Sequence, residues 1–265
     1  MAIGLIIIGD EIMSGKRTDQ HFAKVLEILH ARGLHLDWAE YIGDDSARIT
    51  VALRRAFDSG DIVFSCGGIG ATPDDRTRQC AAEALEVELV IHPDARDRIR
   101  ERIAEIAAKA GEVLDYDSPD NLRRLKMGEF PRGARIIPNP INKIPGFAVG
   151  TVHFVPGFPQ MAAPMIEWAL DTWHSALFHK ERWLEKSVLV YDGMEASLTP
   201  LMETIEARFT SVKIFSLPHL GDSTSRNFIE LGVKGEPQQV ESAYTAMLDE
   251  LNILKSDYKE IGAQK

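Results

Sequence analysis

The sequence has few of the features that would place it in a specialised class of protein. It contains only two cysteines, Cys66 and Cys80, which are too few and too far apart for a disulfide framework or a cysteine-based metal motif. No apolar run approaches the length of a membrane span, and the apolar opening of the chain ends at Asp10 and Glu11, too early for a signal sequence. We therefore expect a cytoplasmic protein with no membrane partner.

Positive charge is also scarce. The 265 residues carry 30 Lys and Arg against 40 Asp and Glu, a formal net charge of −10 at pH 7. Nucleic-acid-binding proteins usually present a basic surface, so this charge argues against nucleic acid as a partner. Residues 232–235 do match the bare G-x-x-G pattern of KH-type RNA clamps, but they follow a predicted strand and precede Pro237 instead of joining two helices.

The chain lacks both common phosphate-binding motifs, yet it has a glycine-rich turn of another kind. No Lys-Ser/Thr pair follows the glycines, and the G-x-G-x-x-G spacing is absent. The turn, which joins a predicted buried strand to a helix, contains Gly67, Gly68, Gly70, Asp74 and Asp75. Glycines let backbone N–H groups approach a ligand closely, and the start of the helix favours an anion such as phosphate.

The acidic pair in this turn suggests a metal. Asp74 and Asp75 would repel a bare phosphate, but they suit a site where a divalent cation such as Mg²⁺ lies between protein carboxylates and ligand phosphates. Thr72 or Thr77 would supply a hydroxyl to the ligand or cap the helix. The alternative is a plain strand-to-helix turn, which three glycines and an acidic pair disfavour.

Strands alternate with helices along the first part of the chain. This order predicts an α/β fold, a three-layer α/β/α sandwich with a mostly parallel sheet, over residues 1–178. A β-α-β-β-α unit over residues 184–254 predicts a small α+β domain, and residues 255–265 are expected to form a polar, frayed tail.

Ligands of such sheets bind beyond the carboxyl ends of the strands, where the acidic pairs Asp10/Glu11 and Asp74/Asp75 are both expected. The turn at residues 156–161 would place further N–H groups at another strand end, unless it is only a tight turn. Lys143 is the nearest obvious cation for a phosphate, unless it is simply solvated.

Four motifs together resemble the molybdopterin-binding fold. Residues 67–77 match its G-G-x-G-x-T-x-D-D-x-T signature, and residues 9–15 and 138–147 match, in order, its G-x-E-x-x-x-G and N-P…P-G-F segments. Residues 156–161 resemble its P-G-x-P-x-x-M segment, with one residue fewer before the methionine. The resemblance covers about residues 3–175 and is closest to the amino-terminal domain of the CinA family. The following unit resembles the KH-like module of that family, whose carboxy-terminal amidohydrolase domain has no counterpart in this sequence.

Three residues depart from the family pattern. Ala71 replaces the usual proline, and Asp19 and His21 stand where asparagines are usual. We interpret His21 as a helix-surface residue, the alternative being a change in ligand selection.

The resemblance implies a small phosphorylated ligand, either a pterin phosphate or a nucleotide diphosphate. It implies either metal-dependent hydrolysis of ADP-ribose or similar pyrophosphates, or adenylylation of molybdopterin, or binding without catalysis; we also expect a homo-oligomer. The implied cofactors are Mg²⁺ or another divalent cation and, in one version, molybdopterin.

The predicted site combines acids and ligand contacts. The acids for catalysis are Asp74, Asp75, Asp10 and Glu11, with Asp75 and Asp44 as metal ligands. The predicted ligand contacts are Gly67, Gly68, Gly70, Thr72, Thr77, Ser14, Gly15, Asp19, Asn139, Lys143, Gly157 and Pro159.

Overall fold

The computed structural model describes residues 2–180, 184–221 and 226–261. The chain divides into two compact units, Met1–Phe178 and His179–Lys265. Each unit is described by itself.

The first unit is built on a six-stranded sheet. Its eight strands are β1 (Ile3–Ile8), β2 (Trp38–Ile42), β3 (Ile62–Cys66), β4 (Leu89–Ile91), β5 (Glu129–Pro131), β6 (Arg135–Ile137), β7 (Gly146–Val149) and β8 (Val152–Val155). The sheet order is β2-β1-β3-β8-β7-β6, whereas β4 and β5 form a separate antiparallel pair. The first four strands in this order, β2, β1, β3 and β8, are parallel, and β7 runs antiparallel to β8.

Helices cover both faces of this sheet. They are α1 (Asp10–Met13), α2 (His21–His30), α3 (Ser46–Ser59), α4 (Thr77–Ala84), α5 (Pro93–Ala110), α6 (Pro119–Lys126) and α7 (Pro159–Ala169), which continues as a π-helical turn over Leu170–His174 and a 3₁₀ turn over Ser175–Leu177. On one face α2 and α7 pack against Phe64, and on the other α3 and α4 pack against Val63. Side chains that alternate along β3 therefore pack into two separate hydrophobic cores, as expected for a strand covered on both faces. The predicted three-layer α/β/α sandwich is confirmed.

The second unit is a small α+β domain, as predicted. Its elements are β9 (Leu184–Tyr191), α8 (Glu195–Arg208), β10 (Val212–His219), β11 (Phe228–Gly235), α9 (Pro237–Ile253) and β12 (Tyr258–Glu260). The sheet is antiparallel in the order β10-β11-β9-β12. The G-x-x-G sequence at 232–235 lies inside β11, where it pairs with strands on both sides instead of forming a nucleotide-clamping loop.

The prediction of a frayed tail is wrong for residues 258–260. These residues pair with the edge of β9, the Tyr244 hydroxyl donates to the Glu260 carboxylate (3.1 Å), and the Ile261 N–H donates to the Ser187 carbonyl (3.1 Å). A polar three-residue strand carries no hydrophobic alternation, so its sequence could not reveal it. None of the helices in the described part of the chain is long and apolar enough to cross a membrane.

Candidate functional site

The loops that follow the parallel strands converge at one edge of the sheet in the first unit. The N–H of Gly9, after β1, donates to the Ile42 carbonyl at the end of β2 (3.0 Å). The N–H of Gly67, after β3, donates to the Val155 carbonyl at the end of β8 (3.0 Å). A Cβ atom added to Gly157 would lie 3.4 Å from the Gly67 Cα, so the loops after β3 and β8 are in contact.

The glycine loop needs its glycines for steric reasons. Gly67 has φ +110° and Gly68 has φ +69°, values that L side chains rarely adopt. A Cβ on Gly67 would lie 2.2 Å from the Ile8 carbonyl oxygen, and one on Gly68 would lie 2.1 Å from Thr77 Oγ1. Neither contact is possible without a shift of the backbone or of a buried side chain.

The same loop leaves a run of backbone donors unpaired. Among the described residues, none accepts a hydrogen bond from the N–H groups of Gly68, Ile69, Gly70 or Ala71. Four consecutive free N–H groups in a loop followed by a helix are typical of an anion-binding turn. Of the four positions predicted to hold phosphate, Gly68 and Gly70 lie within this run, whereas the N–H groups of Gly67 and Thr72 donate to the Val155 carbonyl and to Asp75 Oδ2.

Thr77 supports the loop and does not face a ligand. Its side chain is fully buried, Oγ1 donates to the Gly67 carbonyl (3.1 Å), and its N–H donates to the Gly68 carbonyl (3.0 Å). The prediction that Thr77 contacts the ligand is therefore wrong, because its hydroxyl is used to anchor the loop to α4.

The acidic pair closes the tip of the loop. The Asp75 Oδ2 accepts hydrogen bonds from the N–H (2.9 Å) and the Oγ1 (2.5 Å) of Thr72. Hydrogen bonds from Thr72 and from backbone N–H groups lower the pKa of Asp74, so this carboxylate is ionised at neutral pH. One oxygen of Asp75 is thus committed to the loop, and the other remains available.

Acids from three loops lie close together at this edge. The Asp10 N–H donates to Asp44 Oδ2 (2.9 Å) and the Asp44 N–H donates to Asp10 Oδ1 (3.0 Å), so each carboxylate holds the other's backbone. Partial burial raises the pKa of Asp44, and the negative charges of Asp10, Glu11 and Asp74 raise it further. A cation at this position would relieve the repulsion among the acids.

The protein by itself does not build a complete metal site. Within the described ranges, no group of three or more His, Cys, Asp or Glu side chains is arranged to hold a metal ion. Mg²⁺ is usually held by one or two carboxylates together with water and phosphate oxygens. Asp44 and Asp75 each keep one carboxylate oxygen that accepts no hydrogen bond from another described residue, and such an oxygen suits a ligand of this kind.

A cavity of about 420 Å³ adjoins the same edge. It lies between the loop after β1, the start of α2 and the turn after β8, and its lining includes four of the predicted site residues: Glu11, Asp19, Gly157 and Pro159. Arg17 also lines it, a cation that our sequence analysis did not single out. Its only sequence signal is its place just after the first glycine turn.

Asp19 shapes this cavity by capping α2. Its carboxylate accepts the N–H groups of His21 (2.8 Å) and Phe22 (3.0 Å) and the Tyr41 hydroxyl (2.8 Å). Burial and this hydrogen bond raise the pKa of Tyr41 to about 12. Asp19 therefore positions the start of α2 and contributes negative charge to the cavity wall.

The interpretation of His21 as a surface residue is wrong. Its side chain is only 4% exposed, lines the cavity and hydrogen-bonds the Gly157 backbone. Burial lowers the pKa of His21, so the ring is neutral at pH 7. His21 is the first residue of α2, and its ring is buried against Gly157 in the turn after β8.

Three other predicted residues have different surroundings. The Lys143 ammonium pairs with Glu105 (2.6 Å) and Glu101 (3.2 Å) of α5, and its contact with a phosphate stays a prediction. Ser14 and Gly15 form the exposed turn after α1 and do not line the 420 Å³ cavity. Their assignment to the ligand site stays a prediction.

Arg78 is a buried cation that our sequence analysis missed. It is 5% exposed, its Nη2 donates to the Gly70 carbonyl (2.7 Å), and its Nη1 donates to the Lys126 carbonyl. Burial lowers the pKa of Arg78, and the nearby carboxylates of Asp75 and Glu129 oppose this effect. Arg78 thus ties the glycine loop to the end of α6. A charged residue on the apolar side of α4 was the available signal.

Comparison with known proteins places the first unit in a family. Residues 4–175 match the family model described as a probable molybdopterin binding domain. A CinA-like protein from Citrifermentans bemidjiense is 30% identical over 207 residues, which cover 77% of this chain and 47% of the relative. A protein from Caldivirga maquilingensis is 24% identical over 265 residues, or 98% of each chain.

A solved structure supports the same relationship. The crystal structure of CinA from Thermoplasma acidophilum, described as a protein with unknown function, has a TM-score of 0.54 and 28% identity, and the match covers 64% of this chain and 97% of that one. This chain spans about half the length of the CinA-like relative from Citrifermentans bemidjiense. From the family match over residues 4–175 and these relatives, the chain belongs to the molybdopterin-binding domain family, in its CinA-like amino-terminal form.

Proposed function

We propose that the first unit binds a small phosphorylated ligand, a pterin phosphate or a nucleotide diphosphate, with its phosphates against the glycine loop. The observation that carries this proposal is the run of four unpaired N–H groups from Gly68 to Ala71. Thr77 and Arg78 hold this loop in place from behind. Preorganised donors bind an anion without the cost of reordering a flexible loop.

The chemistry we propose is Mg²⁺-dependent cleavage of a pyrophosphate bond, as in hydrolysis of ADP-ribose. The bound cation would offset the negative charge that develops on the phosphates. Asp44 and Asp75 would each offer one free carboxylate oxygen to it, while Asp10 and Glu11 add negative charge beside it. The ionised Asp74 would hold or orient the attacking water.

The second candidate is a protein that holds a pterin or nucleotide without turning it over. The engagement of Asp75 Oδ2 by Thr72 favours it, because a carboxylate that closes a turn is partly withdrawn from chemistry. Transfer of an adenylyl group to molybdopterin is a variant of the first candidate that uses the same phosphate contacts.

Hydrolysis of ADP-ribose with Mg²⁺, measured beside calorimetric binding, separates these candidates. Asp75→Asn keeps an oxygen for the Thr72 donors but removes the charge, and Asp249→Asn on α9 is the charge-matched control. We expect Asp75→Asn to bind ADP-ribose and to lose hydrolysis about a hundredfold or more. Equal rates in wild type and Asp75→Asn would remove Asp75 from the chemistry. Tight binding without product in the wild type would favour the second candidate.

The ligand class is tested by a thermal-shift screen of pterins, ADP-ribose, FAD and nucleotides, with and without Mg²⁺. A ligand that binds the native state raises the melting temperature in proportion to the logarithm of its concentration over its Kd. No shift with any phosphorylated compound would refute the proposed function.

A further inference from the structure

The side-chain amide of Asn139 is buried and only half satisfied. Asn139 is 4% exposed and follows β6 in the first unit. Its Oδ1 accepts the N–H groups of Ile141 (3.0 Å) and Asn142 (3.4 Å). Its Nδ2 is buried and has no hydrogen-bond partner among the residues that the structure describes.

The orientation of this amide is determined by its neighbours. If the oxygen and nitrogen were exchanged, the NH₂ group would face two N–H donors and the acceptor would be lost. The unpaired group is therefore the NH₂ donor. Buried polar groups in native proteins are nearly always paired, and an unpaired donor is costly unless an acceptor arrives with a ligand.

Asn139 lines a second cavity, of about 130 Å³, in the same unit. The remaining wall is almost entirely apolar, with two methionines, Met127 and Met161, that can change conformation to admit a ligand. None of the described residues that line it is charged. Apolar walls around one buried donor suit the flat faces and one acceptor atom of a heteroaromatic ring.

This cavity adjoins the glycine loop that forms the proposed phosphate site. Ile69 and Gly70 of the glycine loop form one side of it, and Phe158 lines both this cavity and the larger one. The Phe158 side chain is 54% exposed, so its ring is accessible for stacking. A ring placed here would be linked directly to phosphates held by the loop.

We propose that Asn139 determines ligand specificity by donating a hydrogen bond from Nδ2 to a ring nitrogen or ring carbonyl of a purine or pterin. This inference rests on the proposed function, since the ring is that of the phosphorylated ligand. It adds that an acceptor atom on the edge of the ligand's ring faces Asn139.

The test compares ligands with and without a ring in three proteins. Calorimetry is performed on wild type, Asn139→Asp and Asn142→Asp with ADP, 6-hydroxymethylpterin diphosphate, ribose 5-phosphate and inorganic pyrophosphate. Asp at position 139 keeps an acceptor for both backbone N–H groups but has no donor. Asp at position 142 adds the same charge to the same cavity wall and keeps the acceptor for the Ile144 N–H (2.9 Å).

We expect Asn139→Asp to weaken binding of ADP or of the pterin diphosphate about ten- to a hundredfold, and to leave pyrophosphate and ribose 5-phosphate unchanged. The ligand whose affinity falls, ADP or the pterin diphosphate, shows whether the ring that contacts Asn139 is a purine or a pterin. An equal loss in Asn142→Asp would assign the effect to charge and overturn the inference. Unchanged affinity in Asn139→Asp would overturn it while leaving the proposed function intact. Failure of every phosphate to bind wild type would overturn both.

A second measurement needs no variant. Wild type is titrated with ADP analogues in which one purine ring nitrogen at a time is replaced by carbon, or with the 5-deaza pterin. Loss of the acceptor that faces Asn139 should weaken binding about tenfold or more, and the other replacements should have little effect. Uniform affinity across the analogues of a ring that binds would overturn the inference even if Asn139→Asp did not fold.

Discussion

Replacing Gly67 by alanine should destabilise the first unit by a predictable amount. An L residue at a left-handed φ costs about 1 kcal/mol relative to glycine. The Gly67 φ is +110°, and its new Cβ would also lie 2.2 Å from the Ile8 carbonyl oxygen, a backbone atom that cannot move away cheaply. Forced contacts of this kind cost about 1–3 kcal/mol. We therefore expect a loss of about 3 kcal/mol in the free energy of unfolding, or about 10 °C in Tm.

Gly60→Ala is the matched control. Gly60 has φ +70°, close to the end of α3, and a Cβ there would meet no atom within 4 Å. It should therefore lose only the conformational part, about 1 kcal/mol. Urea unfolding followed by tryptophan fluorescence reports mainly on this unit, because three of the four tryptophans, Trp38, Trp168 and Trp173, lie in it.

The comparison between the two variants carries the result. If Gly67→Ala lost no more stability than Gly60→Ala, the loop would be able to move away from Ile8, and the case for a rigid phosphate-binding turn would fail. If Gly67→Ala were much less stable and also bound pyrophosphate more weakly at a temperature where it remains folded, the rigid geometry of the loop would be tied to ligand binding.

Three further predictions concern charged groups. The folded state raises the pKa of Asp44, so its ionisation lowers the stability of the protein as pH rises above the ordinary pKa of an aspartate. Asp44→Asn should therefore be more stable than wild type at pH 7 by about 0.5 kcal/mol and should bind ADP-ribose with less Mg²⁺ dependence. Lower stability of this variant in urea at pH 7 would contradict the prediction. Arg78→Lys keeps the charge but cannot reach the Gly70 and Lys126 carbonyls together, and should lose about 2 kcal/mol in urea unfolding; full stability would contradict the tie between loop and α6. Burial, with the charge of His174 second, lowers the pKa of His153 to about 3, so the stability from its neutral form is present above the ordinary value of 6.5 and is lost as pH falls below it. That loss is about 2 kcal/mol between pH 7 and pH 5. His153→Asn should flatten this part of the curve of unfolding free energy against pH, whereas His30→Asn, at an exposed position, should leave it unchanged.

The fold of the first unit could be predicted from local patterns. The apolar runs that became β1 and β3 are buried along their whole length, as parallel strands between two helical layers must be. The glycine signature located the loop because positive φ and close backbone approach permit few other residues, and Gly67 and Gly68 show both features.

Residue roles within the site were harder to predict, since they depend on which groups tertiary contacts have already paired. Thr77 and Thr72 are equally good hydroxyl donors in sequence, but only the fold determines that Thr77 is buried against Gly67 while Thr72 lies at the exposed tip. In the sequence Lys143 is the nearest obvious cation for a phosphate, whereas in the fold its ammonium pairs with Glu101 and Glu105 of α5. An ion pair between residues about forty positions apart has no local signature.

By itself, the sequence determined the two-unit α/β and α+β organisation, the family and the location of the glycine loop, because these depend on hydrophobic periodicity and on glycine geometry, which are local properties. The tertiary structure alone decided that His21 is buried, that Arg78 supports the loop and that Asn139 keeps a donor without a partner among the described residues. Burial and hydrogen-bond pairing arise from contacts between distant segments, and so they appear only when the chain is folded.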